Sequence, residues 1–152
     1  MIGGLGISAL SGGGGGLVAG PLHRYWRSNK TNGAAGGNTH MELSVKDGFG
    51  AAVTITSGML SQSGLSSFNA SQLVDGNNAT GGFNTDSAGI GSYLQIDFGA
   101  GNEKDLHSWN YRTNGALTAI WDIEYSDDAM SWTKVYIGLN TGGGAANYIA
   151  TW

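Results

Sequence analysis

The chain is built from short segments in which apolar and polar residues alternate, separated by turn signals. In segment 41–47, MELSVKD, apolar residues occupy every second position. This period of two is typical of a strand with one buried face. The same pattern recurs in segments 22–29, 51–56, 93–99, 106–113, 119–126, 131–138 and 148–152.

The turns between these segments favour an all-β fold. Asn-Gly and Asp-Gly pairs, such as Asn32-Gly33 and Asp47-Gly48, are common hairpin signals. Only segment 66–76 has the character of a helical turn, and no long helices alternate with the strands. The sequence therefore predicts an antiparallel β-sandwich or barrel.

Composition limits the possible partners. The chain has 152 residues, with 28 Gly, one Pro, 12% charged residues and a net charge of −4. Without a basic stripe, nucleic acid is not expected as a partner. The chain contains no Cys, which excludes disulfides and fits synthesis in a reducing cytoplasm. We expect one sandwich domain over residues 22–152.

Residues 1–21 form a segment without charged side chains. Five consecutive glycines, Gly12–Gly16, interrupt it, so it resembles neither a signal peptide nor a membrane helix, and no membrane insertion is expected. A flexible tail is one interpretation. The other is an extended Gly-rich assembly arm that threads between neighbouring subunits. The apolar anchors of such an arm are Ile2, Leu5, Ile7, Leu10, Leu17 and Val18.

No catalytic pattern is found, so we expect a protein that is not an enzyme. The three histidines, His23, His40 and His107, are far apart in sequence and fit no metal or nucleophile pattern. The neighbouring acids Asp127 and Asp128 are read as turn-capping residues.

The loop within residues 72–84 is the strongest candidate for a binding site. Asp75, Asn77, Asn78 and Thr80 place four oxygen-bearing side chains within six residues around a glycine turn. Hard cations such as Ca²⁺ bind six to eight oxygens of this kind. The alternative is a polar turn whose side chains bond its own backbone.

Three blocks of sequence, in order, resemble the discoidin-type module, also called the F5/8 type C or galactose-binding-like domain. They are ASQLVDGNNATGGFN, SYLQIDFGAGNEKDLHSWNY and IWDIEYSDDAMSWTKV, together spanning roughly residues 66–138. Segments 23–29 and 41–45 resemble strands that lie late in the family, which suggests a permuted order similar to that of bacteriophage virion and tail proteins. Ala129 stands where the family has Gly, so the hairpin turn is expected to differ.

The resemblance implies an antiparallel, jelly-roll-like β-sandwich. It also implies a structural Ca²⁺ held by the Asp-Gly loop and completed by an acidic strand. Carried over by position, the implied ligands are Asp75, Asn78 and Thr80, with Glu42 from the relocated strand.

The resemblance and the arm together suggest a non-enzymatic structural protein of a bacteriophage virion, a head or tail decoration subunit made in the host cytoplasm. Its partners would be other virion proteins, with the chain as a homo-oligomer or repeated subunit on the particle surface. An accessory domain of a secreted enzyme is a weaker alternative.

A carbohydrate-binding module that adheres to host-surface glycans is the second hypothesis. Its candidate ligand-binding residues are Trp109, Tyr111 and Arg112, because aromatic faces stack on sugar rings. The alternative is that aromatics alternating in a strand fill the core. We expect Trp26 and Trp132 to be core residues.

Overall fold

A computed structural model describes residues 20–33, 38–85, 88–115 and 117–152. The predicted arm therefore lies outside the described residues, apart from its last two positions, Gly20 and Pro21. The six proposed anchors lie outside as well: Ile2, Leu5, Ile7, Leu10, Leu17 and Val18.

The described chain is all-β, as predicted, and its ordered elements are ten strands and two single turns of 3₁₀ helix. The 3₁₀ turns are Ser57–Met59 and Gln72–Val74. The strands are β1 (Tyr25–Gly33), β2 (Asn38–Asp47), β3 (Ala52–Val53), β4 (Leu60–Ser63), β5 (Phe83–Asn84), β6 (Tyr93–Asp97), β7 (Leu106–Gly115), β8 (Ala119–Ser126), β9 (Thr133–Asn140) and β10 (Ala146–Thr151).

The strands form two antiparallel sheets. The first sheet has the order β4-β6-β1-β8-β9, and the second has the order β10-β7-β2-β3, with β5 also paired to β2. All their strand pairings are antiparallel. The antiparallel all-β architecture expected from the pattern is thus confirmed, and its two sheets are consistent with a β-sandwich.

A layer of aromatic side chains joins the two sheets. Tyr111 of β7 meets Trp121 of β8 with ring centroids 5.9 Å apart, and its hydroxyl lies 2.5 Å from the Ser28 hydroxyl on β1. Phe83 packs edge-on to Tyr111 at 5.8 Å. Because all four side chains are at most 1% exposed, these contacts bring strands that are distant in sequence into one core.

Side-chain alternation along β7 divides its residues between the core and the outer face of the sheet. Trp109 and Tyr111 point into the core and are fully buried. The residues between and beside them, Ser108, Asn110 and Arg112, are on the opposite face and partly exposed. This is the behaviour of a strand with a side-chain period of two.

Strand β9 is at the edge of the first sheet and its pairing to β8 is irregular. The register shifts twice, between Trp121 and Ile123 and between Ile123 and Glu124. The buried Asp122 accepts hydrogen bonds from the Lys134 ammonium at 2.7 Å and from the Gly138 backbone N–H at 3.0 Å. At Gly138, β9 therefore bonds to the Asp122 side chain instead of forming a regular backbone hydrogen bond to β8.

Trp132, expected in the core, is only partly buried on the outer side of the first sheet. The Arg27 guanidinium lies 3.8 Å from the centre of its ring, and Arg27 is also paired with Glu124 at 2.7 Å. Trp132 follows the β8–β9 turn directly, and there its ring covers a charged pair on the sheet surface. The expectation for Trp26 is confirmed, since it is 1% exposed.

The described chain enters the fold at one end of the two sheets. The Gly20 backbone N–H donates to the Asp105 carboxylate, and His23 pairs with Lys104 through two backbone hydrogen bonds. The side chain of His23 stacks on Tyr125 and contacts Asp127 at 3.1 Å. Residues 20–23 are therefore attached to the loop before β7 and to the end of β8 before β1 begins.

Candidate functional site

The loop of residues 75–80 is held in place by a buried leucine. Leu73, in the 3₁₀ turn Gln72–Val74, is fully buried, and a side chain added at Gly82 would collide with it. Gly76 has a φ of +74°, in the left-handed region that favours glycine, and this reverses the chain directly after Asp75. The sequence thus fixes both ends of the loop against β2.

The structure brings Glu42 and Asp75 together, as the implied ligand set requires. The backbone N–H of Asn77 donates to the Glu42 carboxylate at 2.9 Å and to the Asp75 carboxylate at 2.7 Å. The Thr80 hydroxyl donates to the second oxygen of Asp75 at 3.0 Å. Asn78, the fourth expected ligand, is exposed in the same loop.

The two carboxyl groups differ in their affinity for protons. Partial burial and the neighbouring Asp75 carboxylate raise the pKa of Glu42 to about 7. The pKa of Asp75 is lowered, chiefly because the Asn77 N–H stabilises its charged form. Below about pH 7 the pair therefore holds one proton, on Glu42, and a bound cation would replace that proton.

The donor set suits a hard cation. Two carboxylates, the Thr80 hydroxyl and the Asn77 carbonyl offer oxygen ligands around one loop. The described residues contain no group of three or more His, Cys, Asp or Glu side chains that could hold a metal. Any cation here would therefore complete its shell with neutral oxygens and water, as Ca²⁺ does.

The aromatic pair expected to stack on sugars is buried. Trp109 and Tyr111 are both fully buried and pack against each other at 5.9 Å, so neither ring offers a face to a ligand. The expectation was wrong for both because the strand turns these residues toward the other sheet. Arg112, the third candidate, is on the outer face, and its Nε atom is buried with no hydrogen-bond partner among the described residues.

The histidines and the paired acids have structural contacts. His40 stacks on Phe83 at 4.3 Å, and His107 bonds the Trp152 carbonyl at 3.0 Å. Asp128 accepts the N–H groups of Ser131 and Met130, which lower its pKa to about 2. This confirms turn capping for Asp128.

A groove on the outer face of the second sheet was not predicted. It encloses about 500 Å³. Its floor consists of outward-facing residues of β2, β7 and β10, which the strand register places opposite one another. We call it the sheet groove; its floor is Ser44, Lys46, Ser108, Asn110, Ile149 and Thr151, and its rim at one end is Asp47, Gly48, Gly50, His107 and Trp152. Polar alternation signalled an exposed face, but the adjacency of these strands could not be read from sequence.

Comparison with known proteins gave no match to a protein family, a curated protein or a solved structure. Among the described residues, no helix is long and apolar enough to cross a membrane.

The pKa of Glu42 predicts a pH dependence of stability. The folded-state pKa of about 7 is above the ordinary value of 4.5, so the folded state binds this proton more tightly than the unfolded state. This contribution to stability is complete below pH 4.5 and is lost as the pH rises through 7. In metal-free protein, Glu42→Gln should therefore flatten the fall in melting temperature between pH 4.5 and 7.

The matched control is Glu103→Gln, because the backbone N–H of Gly101 lowers the pKa of Glu103, which is the opposite direction to the shift of Glu42. If the melting temperature fell equally with pH in the wild type and in Glu42→Gln, the assignment of the proton to Glu42 would be contradicted.

Proposed function

We propose that the chain is a non-catalytic structural subunit of a bacteriophage-type particle, with a discoidin-like, jelly-roll body and an N-terminal assembly arm. The sequence resemblance and the uncharged, Gly-rich residues 1–21 support this role. The observation that carries it is the apolar character of the end of the body where residues 20–23 enter.

Three large apolar side chains are exposed at that end. Leu22 is 60% exposed, Phe49 64% and Met130 82%. Leu22 is next to His23, which contacts the Asp127 turn that leads to Met130. Phe49 follows Gly48, which lies so close to Asp105 that a Cβ added at Gly48 would meet its carboxylate. The same carboxylate accepts the hydrogen bond from Gly20. Exposed apolar side chains grouped on one part of the surface are a feature of protein–protein contact surfaces.

The 75–80 loop fits the same role as a structural calcium site. Ca²⁺ would be held by Asp75, Thr80 and Glu42, with Asn78 able to turn inward from its exposed position. The ion would neutralise two close carboxylates and fix the loop to β2, which stiffens the body without catalysis.

Calcium should raise the stability of the chain at neutral pH. At a concentration about 100-fold above its Kd, Ca²⁺ should add about 2.7 kcal/mol to the free energy of unfolding. Glu42→Gln should remove most of this gain, and Glu103→Gln should keep it. Thermal melts of chelator-treated protein across a calcium titration measure the effect, and an unchanged melting temperature at millimolar Ca²⁺ would count against the site.

Self-association should depend on the apolar end. Sedimentation velocity of the full chain over rising concentration should show oligomers, and the double substitution of Phe49→Ser with Met130→Ser should shift them toward monomer. Ile90→Ser is the matched control, because Ile90 is 77% exposed in the loop before β6. A chain that stays monomeric throughout, or a control with the same effect, would argue against this surface.

Glycan binding is the second candidate, favoured by the Arg112 side chain. In register, Arg112 faces Glu42 on one side and Asn147 on the other. This outward row combines a guanidinium, a carboxylate and an amide, which can bond sugar hydroxyls. The buried aromatic pair contributes only to the position of the row.

A panel of bacterial surface glycans, screened against the full chain, should give a binder. Its affinity should fall at least about tenfold in Arg112→Ala, which corresponds to the loss of about 1.4 kcal/mol of charge-assisted hydrogen bonding. Ser61→Ala, on an exposed position of β4, should leave the affinity unchanged. The absence of any binder would remove this candidate and leave the fold untouched.

A further inference from the structure

The sheet groove has the chemistry of a site for a peptide backbone. Four of its six floor residues carry a hydroxyl or an amide group, and Lys46 is its one charged floor residue. The Asn110 amide donates to the Ser44 hydroxyl at 3.1 Å, while its carbonyl oxygen is buried and has no hydrogen-bond partner among the described residues. Ile149 adds a single apolar side chain, which is 57% exposed. Such a surface can satisfy main-chain N–H and C=O groups and accept one apolar contact.

The described chain begins at the rim of this groove. The Gly20 N–H donates to Asp105, whose other carboxylate oxygen lies 3.0 Å from Nε2 of His107. His107 is a rim residue, and Gly48, also on the rim, is so close to both side chains that a Cβ added there would meet Asp105 at 2.8 Å and His107 at 3.2 Å. The residues that immediately precede Gly20 therefore start beside the open end of the groove.

We propose that the sheet groove is the docking site for the segment just before Gly20 in the same chain, with Leu17 and Val18 against Ile149. The floor crosses three neighbouring strands, which is about 10 Å from the first strand to the third. Five extended residues span about 16 Å, so residues 15–19, GGLVA, are long enough to cross the floor from the rim. The glycines let the backbone approach the floor closely, because they have no side chain to hold it away.

The same chain is the favoured source of this segment. A tethered segment has an effective concentration in the millimolar range when its linker reaches the site, whereas another copy in dilute solution is present only at its bulk concentration. This docking does not depend on the proposed particle role. Docking in the groove would cover Leu17 and Val18 of the assembly arm until neighbouring subunits at high local concentration bind these residues instead.

A cysteine pair tests the docking in the full-length chain, which has no native Cys. Leu17→Cys combined with Ile149→Cys should form an intramolecular disulfide under mild oxidation. The matched pair is Leu17→Cys with Ile137→Cys, because Ile137 is an exposed isoleucine on β9, the edge strand of the other sheet. We expect the first pair to oxidise at least about tenfold faster, as expected for a local preference of about 1.4 kcal/mol.

Non-reducing electrophoresis and intact mass separate the outcomes. A fast monomeric disulfide supports docking within one chain. Equal rates for the two pairs, or a disulfide that joins two chains, overturns it. Near-UV circular dichroism of each reduced variant confirms that the aromatic core is intact, and removal of residues 1–19 should shift the NMR signals of Ile149 and Asn110 while leaving those of Ile137 unchanged. Unshifted signals would also overturn the proposal.

Discussion

The contact between Tyr111 and the first sheet is the constraint on which the rest of the structure depends. Tyr111 touches Trp121 and Ser28 across the core, and burial raises the pKa of its phenol, so it stays neutral. Once this residue faces inward, the period of two turns Asn110 and Arg112 outward. The same strand thus supplies the aromatic layer that holds the sheets together and the polar face where a ligand can bind.

The sequence pattern predicted strands where alternation was strong and missed those that are short. The bounds of β8, Ala119–Ser126, agree with the predicted segment, whereas β4 and β5 went unrecognised because four and two residues are too few to show a period. The segment at 51–56 was predicted as a strand, but only Ala52–Val53 pair.

Resemblance and propensity differed in what they could tell about the candidate sites. The position of an acidic strand in a family pattern suggested that Glu42 lies beside the 75–80 loop. In the structure Glu42 accepts a hydrogen bond from Asn77, which is 35 residues away in sequence. The alternation of Trp109 and Tyr111 with polar residues had left core packing open as the alternative to sugar stacking, and their full burial shows that they belong to the core. The sheet groove depends on three strands becoming neighbours, which is a property of topology alone.

The irregular edge at β9 limits how copies of this protein can join. Because Asp122 takes the Gly138 N–H and the β8–β9 register shifts twice, this border offers a poor template for another strand. Continuous intermolecular sheets, the usual route from crowded β-proteins to fibrils, are disfavoured along it. At high local concentration, copies of this protein would therefore not polymerise through this border, whereas a flat, regular border would favour it.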